Sequence, residues 1–159
     1  MSTDPQDAAT TLPEGWYLIP PETLGTPGIA FAAAHGTPDA GFTANVTVGV
    51  QRSDDPGLVL ALGAEAVRAV EATEREVTVH HREQRGDTAV TQEVRFTTTI
   101  DDAAVPMTQL QEFVAVPGAD GGPSTVWTLS ATTTRAQAEA LADGLAELLG
   151  SLRAEIAAG

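Results

Sequence analysis

The chain has 159 residues, 42% of them hydrophobic and only 4% aromatic, which suits one domain packed mainly with Val, Leu, Ile and Ala. It contains no cysteine, which excludes disulfides, thiolate catalysis and zinc-thiolate sites. Its 22 acidic residues face eight arginines and no lysine, and the net charge of −14 repels nucleic acid and anionic lipid alike.

Residues 1–12 are polar and aperiodic and are expected to form an acidic tail. A single α+β domain is expected over 13–159. Trp16, Leu18 and Ile19 follow a Pro-Glu-Gly turn and make a short strand, ended by Pro20-Pro21. Ile29, Phe31 and Ala33 give a second alternation. In residues 42–50 every even position is apolar, the period of a half-buried strand.

The period then changes. Asp54-Asp55-Pro56 carries the marks of a helix start, with an aspartate cap and a proline in the first turn. Val59, Leu62, Ala66 and Val70 continue at helical spacing, while Gly63 weakens the helix. Residues 76–85 and 88–100 read as a hairpin turning at Arg85-Gly86-Asp87. Val77, Val79 and His81 are expected on one face of its first strand. In its second strand, Val94 and Phe96 should be buried while Glu93 and Arg95 are exposed.

A further strand covers 107–116, where adjacent Phe113 and Val114 imply a bulge or burial on both sides. A Pro- and Gly-rich loop follows over 117–123. Trp127, Leu129 and Ala131 then share one face of the last strand. Thr134 with Gln137 fits a capping box, and Ala138, Leu141, Leu145, Leu148, Leu152 and Ile156 form one apolar stripe. That stripe predicts one helix of about 22 residues. The order is three strands, a helix, four strands and a helix: an antiparallel sheet of six to seven strands packed by two helices.

Reaction chemistry is sparse. His80 and His81, adjacent on a strand, point to opposite faces and share no ion unless a bulge intervenes. His35 lies in a predicted turn. Glu139, Asp143 and Glu147 form a ridge that reads as a solvated helix face, Asp101-Asp102 reads as a turn, and Asp120-Gly121-Gly122 lacks the alternating acids of a calcium loop. No Gly-x-Ser-x-Gly elbow surrounds Ser2, Ser53, Ser124, Ser130 or Ser151, and no lysine is present for a Schiff base. Arg85-Gly86-Asp87 spells an integrin tripeptide and Asn45-Val46-Thr47 a glycosylation acceptor, but the first serves a turn and the second lies inside a strand. No catalytic, cofactor or metal residue is assigned.

Trp16 after its Pro-Glu-Gly turn, together with residues 41–48 (Gly-Phe-Thr-Ala-Asn-Val-Thr-Val) leading into an Asp-rich helix start, resembles the actinobacterial LpqN/LpqT family. The resemblance spans about residues 16–155. It implies a PsbP-like sandwich, a central antiparallel sheet between helices. It brings no shared catalytic residues, and in the wider fold it implies protein binding. Many members of that family are envelope lipoproteins. This chain lacks both a leader pattern at its start and a cysteine for lipid attachment, so a cytoplasmic location is expected. No apolar run approaches the roughly 20 residues of a membrane span.

The expected function is therefore a non-enzymatic binding module engaging a protein partner through a sheet edge or a helix-flanking groove. Nucleic acid and membrane are not expected partners, and the chain is expected to be a monomer or weak homodimer. The alternative is a small-molecule or metal-ion binder with weak hydrolase activity in a cleft between the sheet and the first helix. An apolar pocket ringed by two or three polar groups would favour small-molecule binding. A flat exposed apolar patch would favour a protein partner.

Overall fold

A computed structural model describes residues 12–158. Leu12, assigned above to the tail, packs against the core beside Trp16, and the rest of that expected tail lies outside the described residues. Seven strands form one antiparallel sheet: β1 (Trp16–Leu18), β2 (Ile29–His35), β3 (Asn45–Ser53), β4 (Arg75–Arg85), β5 (Ala89–Ile100), β6 (Ala103–Val116) and β7 (Ser124–Thr134). Their spatial order is β1-β2-β3-β7-β6-β5-β4. The helix α1 (Leu58–Thr73) carries the chain from β3 to the far edge, and the meander β4 to β7 brings it back against β3.

The alternation along each strand divides the sheet into two faces. Val46, Val48, Leu129 and Ala131 face one side, where Leu145, Leu148, Leu149, Leu152 and Ile156 cover them. Val90, Val94, Phe96, Met107, Phe113 and Val126 face the other, beneath α1. The α+β class and the PsbP-like arrangement expected from the sequence are what the structure has.

Four details differ from expectation. The last helix is two, α2 (Arg135–Ala140) and α3 (Ala142–Ala158), so the sheet carries three helices and not two. The break falls at Leu141, whose φ of −104° and ψ of 10° leave the helical region. The capping box is present, with Thr134 Oγ1 accepting from Gln137 N–H and Gln137 Oε1 accepting from Thr134 N–H. Gln137 Nε2 also donates to Phe42 O and Thr134 Oγ1 donates to Asp39 Oδ2, which ties α2 to the 39–42 turn.

At α1, Asp54-Asp55 does not cap. Asp55 Oδ1 instead accepts from Gly57 N–H at 2.8 Å, a local turn that delays the helix to Leu58. In β4, one-residue bulges between Arg75 and Thr78 and between Val79 and His81 break the shared face. Val79 pairs with Val94 on the α1 side and His81 with Glu93 on the other. In β6 one of the two expected alternatives holds: Phe113 and Val114 are both packed because the strand is covered on both sides, and its register with β5 and β7 is continuous, with no bulge. Glu93 and Arg95 do oppose Val94 and Phe96, as expected, but they are half-buried and pair with each other at 2.7 Å.

Candidate functional site

The helices are staggered across the sheet. Seated on β2, β3 and β7, α3 leaves β4 to β6 partly open on its face. Lying over β5 and β6, α1 leaves β3 and β7 open on the other. Each face therefore keeps a half-covered cleft.

On the α3 side a cleft of about 280 Å³ has an apolar floor of Val114, Val116, Trp127 and Leu129, walled by Ile156. Cross-strand pairing builds this floor, since Val114 lies opposite Trp127 and Glu112 opposite Leu129. Three polar side chains reach it: Arg85, Glu112 and Arg153. Arg153 Nε donates to both carboxylate oxygens of Glu112, at 3.0 and 2.8 Å, and Nη2 donates to Oε2. The Glu112 side chain is 8% exposed and its charge is thus matched within the cleft wall. Among the described residues Arg85 makes no ion pair.

The α1-side cleft, about 430 Å³, lies where the alternative reading placed one. Its lining is mostly neutral, with Glu74 at the end of α1 as its one charged residue. Gln92 Nε2 donates to Gly63 O at 2.8 Å and to Gln111 Oε1, Gln111 donates to Gln109, and Gln109 donates to Thr132 Oγ1. Gln92 is fully buried, and among the described residues its Oε1 has no hydrogen-bond partner. Gly63 is buried in the centre of the α1 contact face, where its missing side chain brings the helix onto Gln92. This chain of amides positions α1 and offers hydroxyl and amide groups, with no nucleophile–base pair among them.

The third feature is the β4 edge. Its residues are exposed apart from half-buried Val77, and they include Arg75, His80, His81, Arg82 and Arg85. A bulge does place His80 beside His81 opposite Glu93, with His80 Nε2 4.0 Å from Glu93 Oε2. Among the described residues, however, no three His, Asp or Glu side chains converge as a metal set. His35 ends β2 rather than sitting in a turn, with its ring edge-on to Trp16 and Nδ1 accepting from Thr37 N–H. Glu139, Asp143 and Glu147 are exposed. Asp101-Asp102 forms the β5–β6 turn, with both φ values positive. Gly86 (φ 57°) turns the β4–β5 hairpin, and Asn45 begins β3. No serine or threonine hydroxyl meets a histidine among the described residues.

Sequence reasoning missed the cleft on the α3 side and the glutamine chain. The glutamines did carry a signal: Gln92 interrupts the apolar positions 90, 94 and 96, and Gln109 and Gln111 continue it on β6.

No family model matches the chain, and no curated protein matches it. Solved structures place it in a fold class. LpqN of Mycobacterium tuberculosis, described as involved in cell envelope biogenesis, aligns over 87% of this chain and 78% of its own at 15% identity, with a TM-score of 0.56. The Ran-binding protein Mog1p of Saccharomyces cerevisiae aligns over 92% and 87% at 14% identity, with a TM-score of 0.54. These likenesses show a shared fold. The resemblance read from Trp16 and residues 41–48 holds at that level and not as membership of a family.

Proposed function

We propose that the chain is a non-enzymatic module that binds a protein partner along β4, and that the partner presents an extended segment rich in acidic side chains. One observation carries this reading. In a chain of net charge −14, β4 gathers three of the eight arginines and two of the three histidines on one exposed edge against two glutamates, Glu76 and Glu83, so that it carries a net positive charge where the rest of the chain is acidic. An acidic segment is repelled by most of this surface and can approach here. Over 81–85 the pairing with β5 is regular, so the outer backbone groups can accept a further strand. The bulges nearer Arg75 blunt the other half of the edge. That Mog1p binds Ran is consistent with protein binding on this fold.

The same edge disfavours self-pairing. Two copies of β4 aligned antiparallel about His80 would set Arg75 opposite Arg85 at both ends, and like charges directly opposed destabilise a ladder. A monomer is the expected state. Fluorescence anisotropy with a labelled alternating Val-Glu decapeptide, and its Val-Lys counterpart as control, tests the proposal. The acidic peptide should bind at least about tenfold tighter, and Arg82→Glu/Arg85→Glu should abolish the difference. Equal binding of both peptides, or backbone amide shifts confined to elements away from β4, would refute it.

A further inference from the structure

The cleft on the α3 side favours a second, separate ligand. We infer that it binds a small amphiphile with an apolar body and one anionic head, of the kind represented by a medium-chain carboxylate. The apolar body would lie on Val114, Val116, Trp127 and Leu129 against Ile156, and the head would meet Arg85.

Charge selects the head. Among the described residues the only carboxylate lining the cleft is Glu112, and Arg153 engages both of its oxygens. The lining thus carries Arg85, Arg153 and Glu112, two cations and one anion, in a protein whose total charge is −14. Among the described residues Arg85 is left as the cation without an ion-pair partner, and a guanidinium favours a planar carboxylate geometrically as well as electrostatically. A cationic amphiphile would find no free acid in the lining, and a neutral one would gain only the apolar contacts. At about 280 Å³ the space lies near the lower end of small-ligand sites, which suits one short chain and not a polymer.

The site shares Arg85 with the proposed protein edge, and Ala157, which lines the cleft but is not part of β4, allows the two to be told apart by mutation. Ala157 is exposed on α3 and lines the cleft, far from β4 in sequence. Trp127 in the floor supplies a direct readout. Intrinsic fluorescence of the full chain would be titrated with sodium octanoate, octan-1-ol and octyltrimethylammonium. Octanoate should give a saturable change at one equivalent, at least about tenfold tighter than octanol, with the cation weakest. Arg85→Gln should bring octanoate to the octanol level. Ala157→Trp should weaken octanoate and octanol while leaving the peptide binding of β4 intact, and Trp127→Phe should remove the signal. Thermal melts of each variant establish that it is folded. Equal affinity for octanoate and octanol, no saturable response to any probe, or unchanged octanoate binding in folded Arg85→Gln or Ala157→Trp would overturn the inference.

Discussion

Arg153, near the end of α3, clasps Glu112, in the middle of β6, through Nε at 3.0 and 2.8 Å and through Nη2, across 41 positions of sequence. The two ends of this pair differ in burial. Glu112 is almost wholly enclosed while the Arg153 side chain is 49% exposed, so the arginine brings the compensating charge in from the surface. Removing it strands a buried carboxylate. Arg153→Ala is expected to cost about 1–3 kcal/mol, at the lower end because Arg153 is half in water. Glu112→Leu/Arg153→Leu should cost less than Arg153→Ala alone, because no charge is left unpaired. Urea unfolding of both variants makes the comparison; a double variant less stable than Arg153→Ala would mean that the pair is strongly net stabilising.

Two glycines should respond to alanine with opposite signs. At Gly63 a Cβ would meet Val90 Cγ1 at 3.4 Å and Gln92 Oε1 at 3.5 Å, which is ordinary contact. Gly63→Ala should therefore stabilise the protein by up to about 1 kcal/mol through helix propensity. At Gly118 a Cβ would lie 2.2 Å from the Pro123 carbonyl oxygen and 2.8 Å from that of Gly122, so the backbone of the loop must open. Gly118→Ala should cost about 1–3 kcal/mol. Thermal denaturation of the pair checks both signs, and a destabilising Gly63→Ala would show that α1 cannot move away from Gln92.

The apolar stripe of the last helices is the surest core element. Leu148 is fully buried between α3 and the sheet, and Leu145 is nearly so. Leu148→Ala and Leu145→Ala should each cost about 2–5 kcal/mol, with Leu148 the more damaging. Thr134→Ala should cost about 1–2 kcal/mol, because it deletes the cap on Gln137 N–H together with the hydroxyl donated to Asp39. Losses below about 1 kcal/mol at both leucines would mean that α3 packs elsewhere in solution.

These cases show why some features were legible in the sequence and others were not. Leu145, Leu148, Leu152 and Ile156 announce themselves by spacing, and Val94 and Phe96 by alternation, because each pattern lies within one element. The bulge at His80 adds one residue without changing composition, so nothing local marks it; it appears only when β4 is set against β5. Asp55 reads equally well as a cap or as a turn, and the hydrogen bond to Gly57 decides for the turn. The α3-side cleft is assembled from the end of β4, the second half of β6, the first half of β7 and the end of α3. Its identity is a matter of tertiary placement. Gln92 was hidden for a related reason: a glutamine among valines looks like a surface position until α1 is laid over it.

The last prediction follows from charge. Twenty-two acidic residues face eight arginines, and among the described residues only two arginine–carboxylate pairs form. Most carboxylates are therefore held near like charges by folding, and the compact state carries more self-repulsion than the unfolded chain. Salt screens this over a Debye length of about 10 Å at 0.1 M. The melting temperature should rise between low salt and a few hundred millimolar sodium chloride, by about 2–4 °C if screening restores about 1 kcal/mol. Glu139, Asp143 and Glu147 stand exposed on α2 and α3, so calcium chloride at equal ionic strength should add nothing specific. Differential scanning calorimetry across both salts makes the measurement. A melting temperature that falls with sodium chloride would show that the few ion pairs outweigh the repulsion. Saturable stabilisation by micromolar calcium would show that the exposed acids of the last helices form a cation site in solution.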